Sequence, residues 1–168
     1  MVEFDIQLSK DKVPAIYHDF ELCTTSVTKT GEKKELIPTQ LKNLTLAQLR
    51  RLKVQFCVYY LKDKYLIFFS LQIHHHSEMA NGAKEFVEED DEEHQPFPTL
   101  EEALNLIDQS CGFNIEVKWD MMLKDGSNEC HFPFEINLFL DQIIKTALAH
   151  GKSRKIVFSS FNPDVCTM

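Results

Sequence analysis

From Val2 to Leu8 the chain alternates strictly. Val2, Phe4, Ile6 and Leu8 fall on one side and Glu3, Asp5 and Gln7 on the other, the period-two signature of a strand with one apolar and one polar face. Gly112 opens a second run of the same design, with Phe113, Ile115, Val117 and Trp119 apolar and Asn114, Glu116 and Lys118 opposite them. Residues 155–161 read as a third strand. Between the last two, Ile136, Phe139, Leu140, Ile143, Ile144, Ala147 and Leu148 recur at helical spacing, and Gly151 stands where a left-handed C-terminal cap is expected. Thr45 with Gln48, and Thr99 with Glu102, have capping-box spacing, so an amphipathic helix is predicted after each. Strand, helix, strand, helix, strand favours a parallel sheet with helical crossovers.

Two segments break this rhythm. Residues 29–42 read as a polar loop. Residues 54–95 hold an aromatic tract, the triplet His74, His75 and His76, and an acidic run at 85–93, and are expected to form an insertion or disordered loop within one domain spanning 1–168. Lys62, Asp63 and Lys64 split the apolar tract into halves too short to cross a bilayer, so no membrane span is predicted. The composition of 54–72 suits either translation of a T-rich noncoding tract, as in a retained intron, or a lipid- or partner-binding hairpin.

Composition narrows the class only slightly. A chain of 168 residues with 43% hydrophobic content can build one domain around a sizeable core. The net charge of −8 comes largely from the run at 85–93, so it is local and argues against a nucleic-acid partner. The five cysteines lack C-x-x-C or zinc-finger spacing, which points to reduced thiols and a cytoplasmic setting. Glu3 and Asp5 interrupt any apolar run that could serve as a signal peptide.

The polar strand faces carry the candidate chemistry. Glu3 and Asp5 lie two apart on one face, and Glu116 takes the equivalent place on the next strand. At the mouth of a closed parallel barrel, three such carboxylates would repel, and either hold protons or recruit a hard dication such as Mg2+ or Ca2+. On an edge strand they would be solvent-facing charges. His18 has the right side chain for proton transfer near neutrality, or is a loop histidine beside Asp19. The histidine triplet cannot converge on one ion from adjacent loop positions, Cys130-His131 has no partner at zinc spacing, and Ser159 and Ser160 lack the glycines of a nucleophile elbow. Trp119 either lines the mouth or packs.

The segments Val2-Glu3-Phe4-Asp5-Ile6-Gln7-Leu8-Ser9-Lys10-Asp11, Val13-Pro14-Ala15-Ile16-Tyr17-His18-Asp19 and Gly112-Phe113-Asn114-Ile115-Glu116-Val117-Lys118 occur in that order. Together with Pro96-Phe97-Pro98-Thr99-Leu100, Ile156-Val157-Phe158-Ser159-Ser160-Phe161 and the closing Cys166-Thr167-Met168, the chain resembles the glycerophosphodiester phosphodiesterase family, above all its eukaryotic glycerophosphocholine-cleaving branch. The resemblance implies part of a (β/α)8 TIM barrel, about strands 2 to 4 with their crossover helices. It implies that Glu3, Asp5 and Glu116 hold a divalent metal, that His18 is one of two catalytic histidines, and that Lys118 binds the substrate phosphate. The implied reaction is metal-dependent hydrolysis of a small glycerophosphodiester to glycerol 3-phosphate and an alcohol, in lipid metabolism. Against the family pattern, the chain opens inside the second strand, after the His-Arg-Gly motif that carries the other histidine. The isolated chain is therefore expected to be an incomplete catalytic domain with little turnover, or a non-catalytic interaction module that retains a metal site.

Overall fold

The computed structural model describes residues 1–26, 35–52, 55–57, 86–88, 97–130 and 134–167, with side chains placed for all of these except 23–26, 35–37, 55–57 and 86–88. In chain order the elements are β1 (Val2–Leu8), β2 (Pro14–Ile16), β3 (Glu21–Ser26), β4 (Glu35–Gln40), a 3-10 turn (Leu41–Asn43), α1 (Leu46–Leu49), β5 (Gln55–Cys57), β6 (Phe86–Glu88), α2 (Leu100–Leu106), β7 (Phe113–Val117), α3 (Ile136–His150), β8 (Ile156–Ser159) and α4 (Pro163–Thr167). The main sheet has the order β2-β1-β7-β8, in which β1, β7 and β8 run parallel and β2 returns antiparallel to β1. Helices α2 and α3 precede the second and third parallel strands, as crossovers of a (β/α)8 barrel do.

One face of the sheet is the apolar face read from the sequence. Ile6, Leu8, Phe113, Ile115 and Val117 are buried in one cluster with Leu100, Ala103 and Leu104 of α2 and Phe139, Ile143 and Ala147 of α3, while Phe4, Leu140 and Ile156 pack at its margin. Each fully buried Ile or Phe here contributes roughly 1.5–3 kcal/mol, so this face anchors the sheet and leaves the other free for polar side chains. Phe4 meets Phe113 edge-on, with ring centroids 5.1 Å apart.

Both capping boxes form. Thr45 and Thr99 accept from the backbone N–H of Gln48 and Glu102, whose side chains accept from the cap residues' own N–H groups. Helix α1 is nevertheless a single turn of four residues, because the chain departs after Leu49 is buried. The far end of α2 is finished by Arg154, which is itself buried. Its guanidinium donates to the carbonyls of Leu104, Ile107, Asp108 and Cys111 and lies 4.1 Å from the centroid of the Phe113 ring. Carbonyls that a helix end leaves without partners are thereby satisfied.

Two expectations need correction. Residues 29–42 are not simply a polar loop: β4 pairs antiparallel with β3 from Glu21↔Gln40 to Ser26↔Glu35, and Leu41 is fully buried with Tyr17, Leu22, Leu49 and Phe97. Cross-strand pairing and one buried leucine outweigh the low hydrophobicity of this stretch. Gly151 is not left-handed, since its φ is −66° and ψ −26°. A Cβ there would lie 2.5 Å from the Ala147 carbonyl oxygen and 2.9 Å from Ile156 Cδ1, so glycine is required for close approach, and the left-handed residue is Lys152 with φ 53°. The outer edge of β1 is covered over its last three residues by β2.

The segment 54–95 lies outside the described residues except where β5 pairs antiparallel with β6. The histidine triplet, most of the acidic run and His131 fall outside them too. Among the described residues no helix is long and apolar enough to cross a membrane.

Candidate active site

Parallel pairing sets residues into rows across the sheet. The register places Glu3 beside Asn114, and Asp5 beside Glu116, which is in turn beside Ser159. Period-two alternation then puts Glu3, Asp5, Asn114, Glu116 and Ser159 on the face opposite the core. Glu3, Asp5 and Glu116 each offer a carboxylate oxygen within 4.8 Å of the other two. The Glu116 row is the C-terminal rim of β7 and β8, whereas β1 runs three residues past Asp5. The carboxylates of β1 therefore sit in its first half rather than at its C-terminal end, because β2 prolongs β1 beyond the sheet's rim.

Lys118 continues the ladder by donating its N–H to the Ile6 carbonyl. Its Nζ lies 3.4 Å from Glu116 Oε1 and 3.8 Å from Asp5 Oδ1, all three side chains being only 15–16% exposed. Glu3 is exposed, and the three carboxylates with one ammonium leave a formal charge of −2, the deficit that one dication cancels. The donor set is all oxygen, and an ion with bonds of about 2.0–2.6 Å can bridge oxygens up to roughly 5 Å apart, so the cluster fits a hard ion such as Mg2+ or Ca2+.

A cleft of about 220 Å3 opens beside the cluster, lined among others by His18, Asp19, Phe20, Glu116, Lys118 and Trp119. His18 arrives there through the β1–β2 return. Ser9 makes the turn: its hydroxyl donates to Asp11 and accepts from the Val13 N–H, and Lys12 takes a positive φ of 63°. Antiparallel pairing then brings the chain back so that the Tyr17 N–H donates to the Asp5 carbonyl at 3.1 Å. The next residue is His18, with Nδ1 2.6 Å from Asp19 Oδ1 and a side chain that is 64% exposed. A carboxylate at Nδ1 fixes the ring's orientation and leaves Nε2 as the nitrogen through which a proton would pass.

The segment that carries Ser160 is held by polar contacts to the backbone. The Ser160 hydroxyl donates to the Val117 carbonyl, and the Asn162 amide donates to that of Asp120. The Ser159 hydroxyl donates to Asn114 Oδ1, so both serines brace β8 against β7 and its continuation.

The profile of the Glycerophosphoryl diester phosphodiesterase family matches residues 1–168. This chain belongs to that family. Among similar proteins, the glycerophosphocholine phosphodiesterase of Homo sapiens is 40% identical over 172 residues, an alignment that covers 99% of this chain and 23% of the human protein. The glycerophosphocholine phosphodiesterase of Schizosaccharomyces pombe is 30% identical over 191 residues, covering 99% of this chain and 16% of the yeast protein. The chain thus spans about a quarter or less of the length of these relatives. The crystal structure of the glycerophosphoryl diester phosphodiesterase domain of a Mycobacterium tuberculosis protein superposes with a TM-score of 0.52 at 14% identity, over 98% of this chain and 43% of that one. A Silicibacter pomeroyi structure named for the same activity gives 0.57 at 18% identity, over 97% and 48%. These likenesses establish the fold as part of the TIM barrel of glycerophosphoryl diester phosphodiesterases.

Within this member of the phosphodiesterase family, the five residues that the resemblance assigned to the site, Glu3, Asp5, His18, Glu116 and Lys118, lie in one region. Glu3, Asp5, Glu116 and Lys118 meet directly, and His18 lines the same cleft as Glu116 and Lys118. Trp119 does both things expected of it: it lines the cleft, and its ring packs edge-on against Phe139 at 5.1 Å. Sequence reasoning missed Gln7, buried at 6% exposure behind His18, and undervalued Asp19 as that histidine's partner. The signal for Gln7 was a polar residue one period beyond Asp5 on a strand already seen to carry the site.

Proposed function

We propose that this chain supplies the metal-binding and proton-transfer side of an active site that hydrolyses glycerophosphodiesters, glycerophosphocholine among them, to glycerol 3-phosphate and the free alcohol. The observation that carries this reading is the meeting of three carboxylates and one lysine, of which Glu116 and Lys118 line a cleft shared with His18. The names of the human and yeast relatives agree with it.

A phosphodiester resists attack because its anionic oxygens repel a nucleophile. Glu3, Asp5 and Glu116 would hold the Mg2+ or Ca2+ ion, which when bound polarises the phosphoryl oxygens. Lys118 places a positive charge beside the same cleft, where it offsets charge that grows at the phosphate in the transition state. Its present partners, Asp5 and Glu116, keep that charge in place until a phosphate competes for it. His18 exchanges the proton at Nε2, while Asp19 holds Nδ1 and orients the ring. A small-molecule substrate, no nucleic acid and a cytoplasmic setting complete the reading.

Calorimetric titration of the protein with Mg2+ and with Ca2+ tests it independently of turnover. One divalent ion should bind, and Glu116→Gln and Asp5→Asn should each weaken it at least on the order of tenfold, as loss of a charged oxygen ligand does. Binding unaffected by both substitutions would refute the shared site. Binding in a protein that never turns over a glycerophosphodiester would favour an interaction module that has kept the metal site.

A further inference from the structure

The Gln7 carboxamide is the buried polar group closest in the chain to the carboxylate cluster that the reaction scheme above leaves unused. Its Nε2 lies 2.9 Å from the Tyr17 carbonyl oxygen, 3.1 Å from that of His18 and 2.9 Å from that of Asp19. Two N–H bonds are thus shared among three consecutive carbonyls. Carbonyls of successive residues in an extended chain point to alternate sides, so bringing three of them onto one nitrogen requires the backbone to curl around the amide at His18. The Tyr17 N–H, bonded to the Asp5 carbonyl, fastens the start of the same curl to the strand that carries Glu3 and Asp5.

We infer that Gln7 is a positioning residue for His18: it fixes the backbone of residues 17–19 against β1, and so sets the place of the His18–Asp19 pair relative to the carboxylates. The assignment rests on the reading of His18 as the proton-transfer group. The choice of side chain follows from the contacts. Asparagine is one methylene too short to reach from β1. Glutamate would face three carbonyl oxygens without a donor. Methionine or leucine fills the volume but leaves the carbonyls without their partner, which buried acceptors tolerate poorly. The His18 ring is held at Nδ1 by Asp19, and Gln7 holds the backbone of both residues, so the pair is placed through that backbone.

A purely structural strut predicts loss of stability and nothing else, whereas a positioning residue predicts a specific kinetic pattern. With glycerophosphocholine and Mg2+ as probes, Gln7→Met is expected to lower kcat on the order of 10²-fold while KM and Mg2+ affinity stay within about twofold, because misplacing a catalytic group by about 1 Å removes transition-state stabilisation alone. Nitrogen-15 spectra of the His18 ring should change from one tautomer in the wild type to an exchanging mixture in Gln7→Met. An active wild type whose kcat survives Gln7→Met overturns the inference. If the wild type itself shows no His18-dependent turnover, the functional reading fails, and the ring spectra alone then decide: an unchanged tautomer in Gln7→Met overturns the positioning role and an exchanging one upholds it. Should Gln7→Met fail to fold, the wild-type Gln7 amide protons serve instead. Slow exchange with Overhauser contacts to His18 and Asp19 supports the tie, and fast exchange without them overturns it.

Discussion

Lys118 Nζ stands 3.4 Å from Glu116 Oε1, two residues back on the same extended segment, and 3.8 Å from Asp5 Oδ1 on the neighbouring strand. The lysine therefore competes for the carboxylates that a dication would bind. Lys118→Met should tighten Mg2+ or Ca2+ binding by on the order of tenfold, since it removes a like charge from the ion's surroundings, while it weakens phosphate binding. Titration of the variant with each metal, and with glycerol 3-phosphate as product, would reveal the opposite signs. A variant that loses affinity for both would mean that Lys118 holds the carboxylates together instead.

Gly151→Ala should destabilise the protein by roughly 1–3 kcal/mol, as overpacking at a tight contact does. The added Cβ meets the Ala147 carbonyl oxygen at 2.5 Å, which is backbone and cannot rotate away. Because φ is already helical at −66°, the penalty is steric and not conformational. Chemical denaturation is the check, and a neutral substitution would show that α3 and β8 can separate by several tenths of an ångström.

Arg154→Met should lower stability by about 1.5–3 kcal/mol, because it strips a buried charged donor from the carbonyls of Leu104, Ile107, Asp108 and Cys111. Arg154→Lys should recover only part of this, since an ammonium cannot match the planar fork that reaches four acceptors. Hydrogen exchange would locate the loss at the C-terminal end of α2.

How much of this was legible in the sequence depended on which force set each feature. The alternation in β1 and β7 foretold the core and set Glu3, Asp5 and Glu116 on polar strand faces, while their grouping into one site was implied by the family resemblance; parallel register turns those equal periods into shared rows. Helix α3 and the two capping boxes followed from spacing in the same way. The β3–β4 pair did not, since Thr, Ser and Lys carry little hydrophobic signal and the pairing is a tertiary matter. Gly151 was misread because a glycine after a helix signals a left-handed cap as readily as a close contact. The role of Gln7 stayed hidden because it depends on where β2 returns the chain, which no local pattern states.

Acid should weaken the junction of α1 and α2. Burial pushes the Glu102 carboxyl up, but the Thr99 N–H, the Arg50 guanidinium at 2.5 Å and the Thr99 hydroxyl outweigh it and hold the group below its ordinary value of 4.5. A depressed carboxylate stabilises the fold fully above its unfolded value and loses that contribution as pH falls through the folded one. The stability difference between wild type and Glu102→Gln should therefore be flat at neutral pH and shrink below about pH 4.5. A difference that stayed constant down to strongly acid pH would dissociate Glu102 from the effect.

The central claim is that the carboxylate cluster and His18 form one phosphodiesterase site, and release of glycerol 3-phosphate from glycerophosphocholine measures it most directly. With the intact protein, chelation should abolish release and added Mg2+ or Ca2+ should restore it, while His18→Ala lowers the rate roughly 10²- to 10⁴-fold and Glu116→Gln at least as much. Release that survives the chelator and both substitutions would contradict the account.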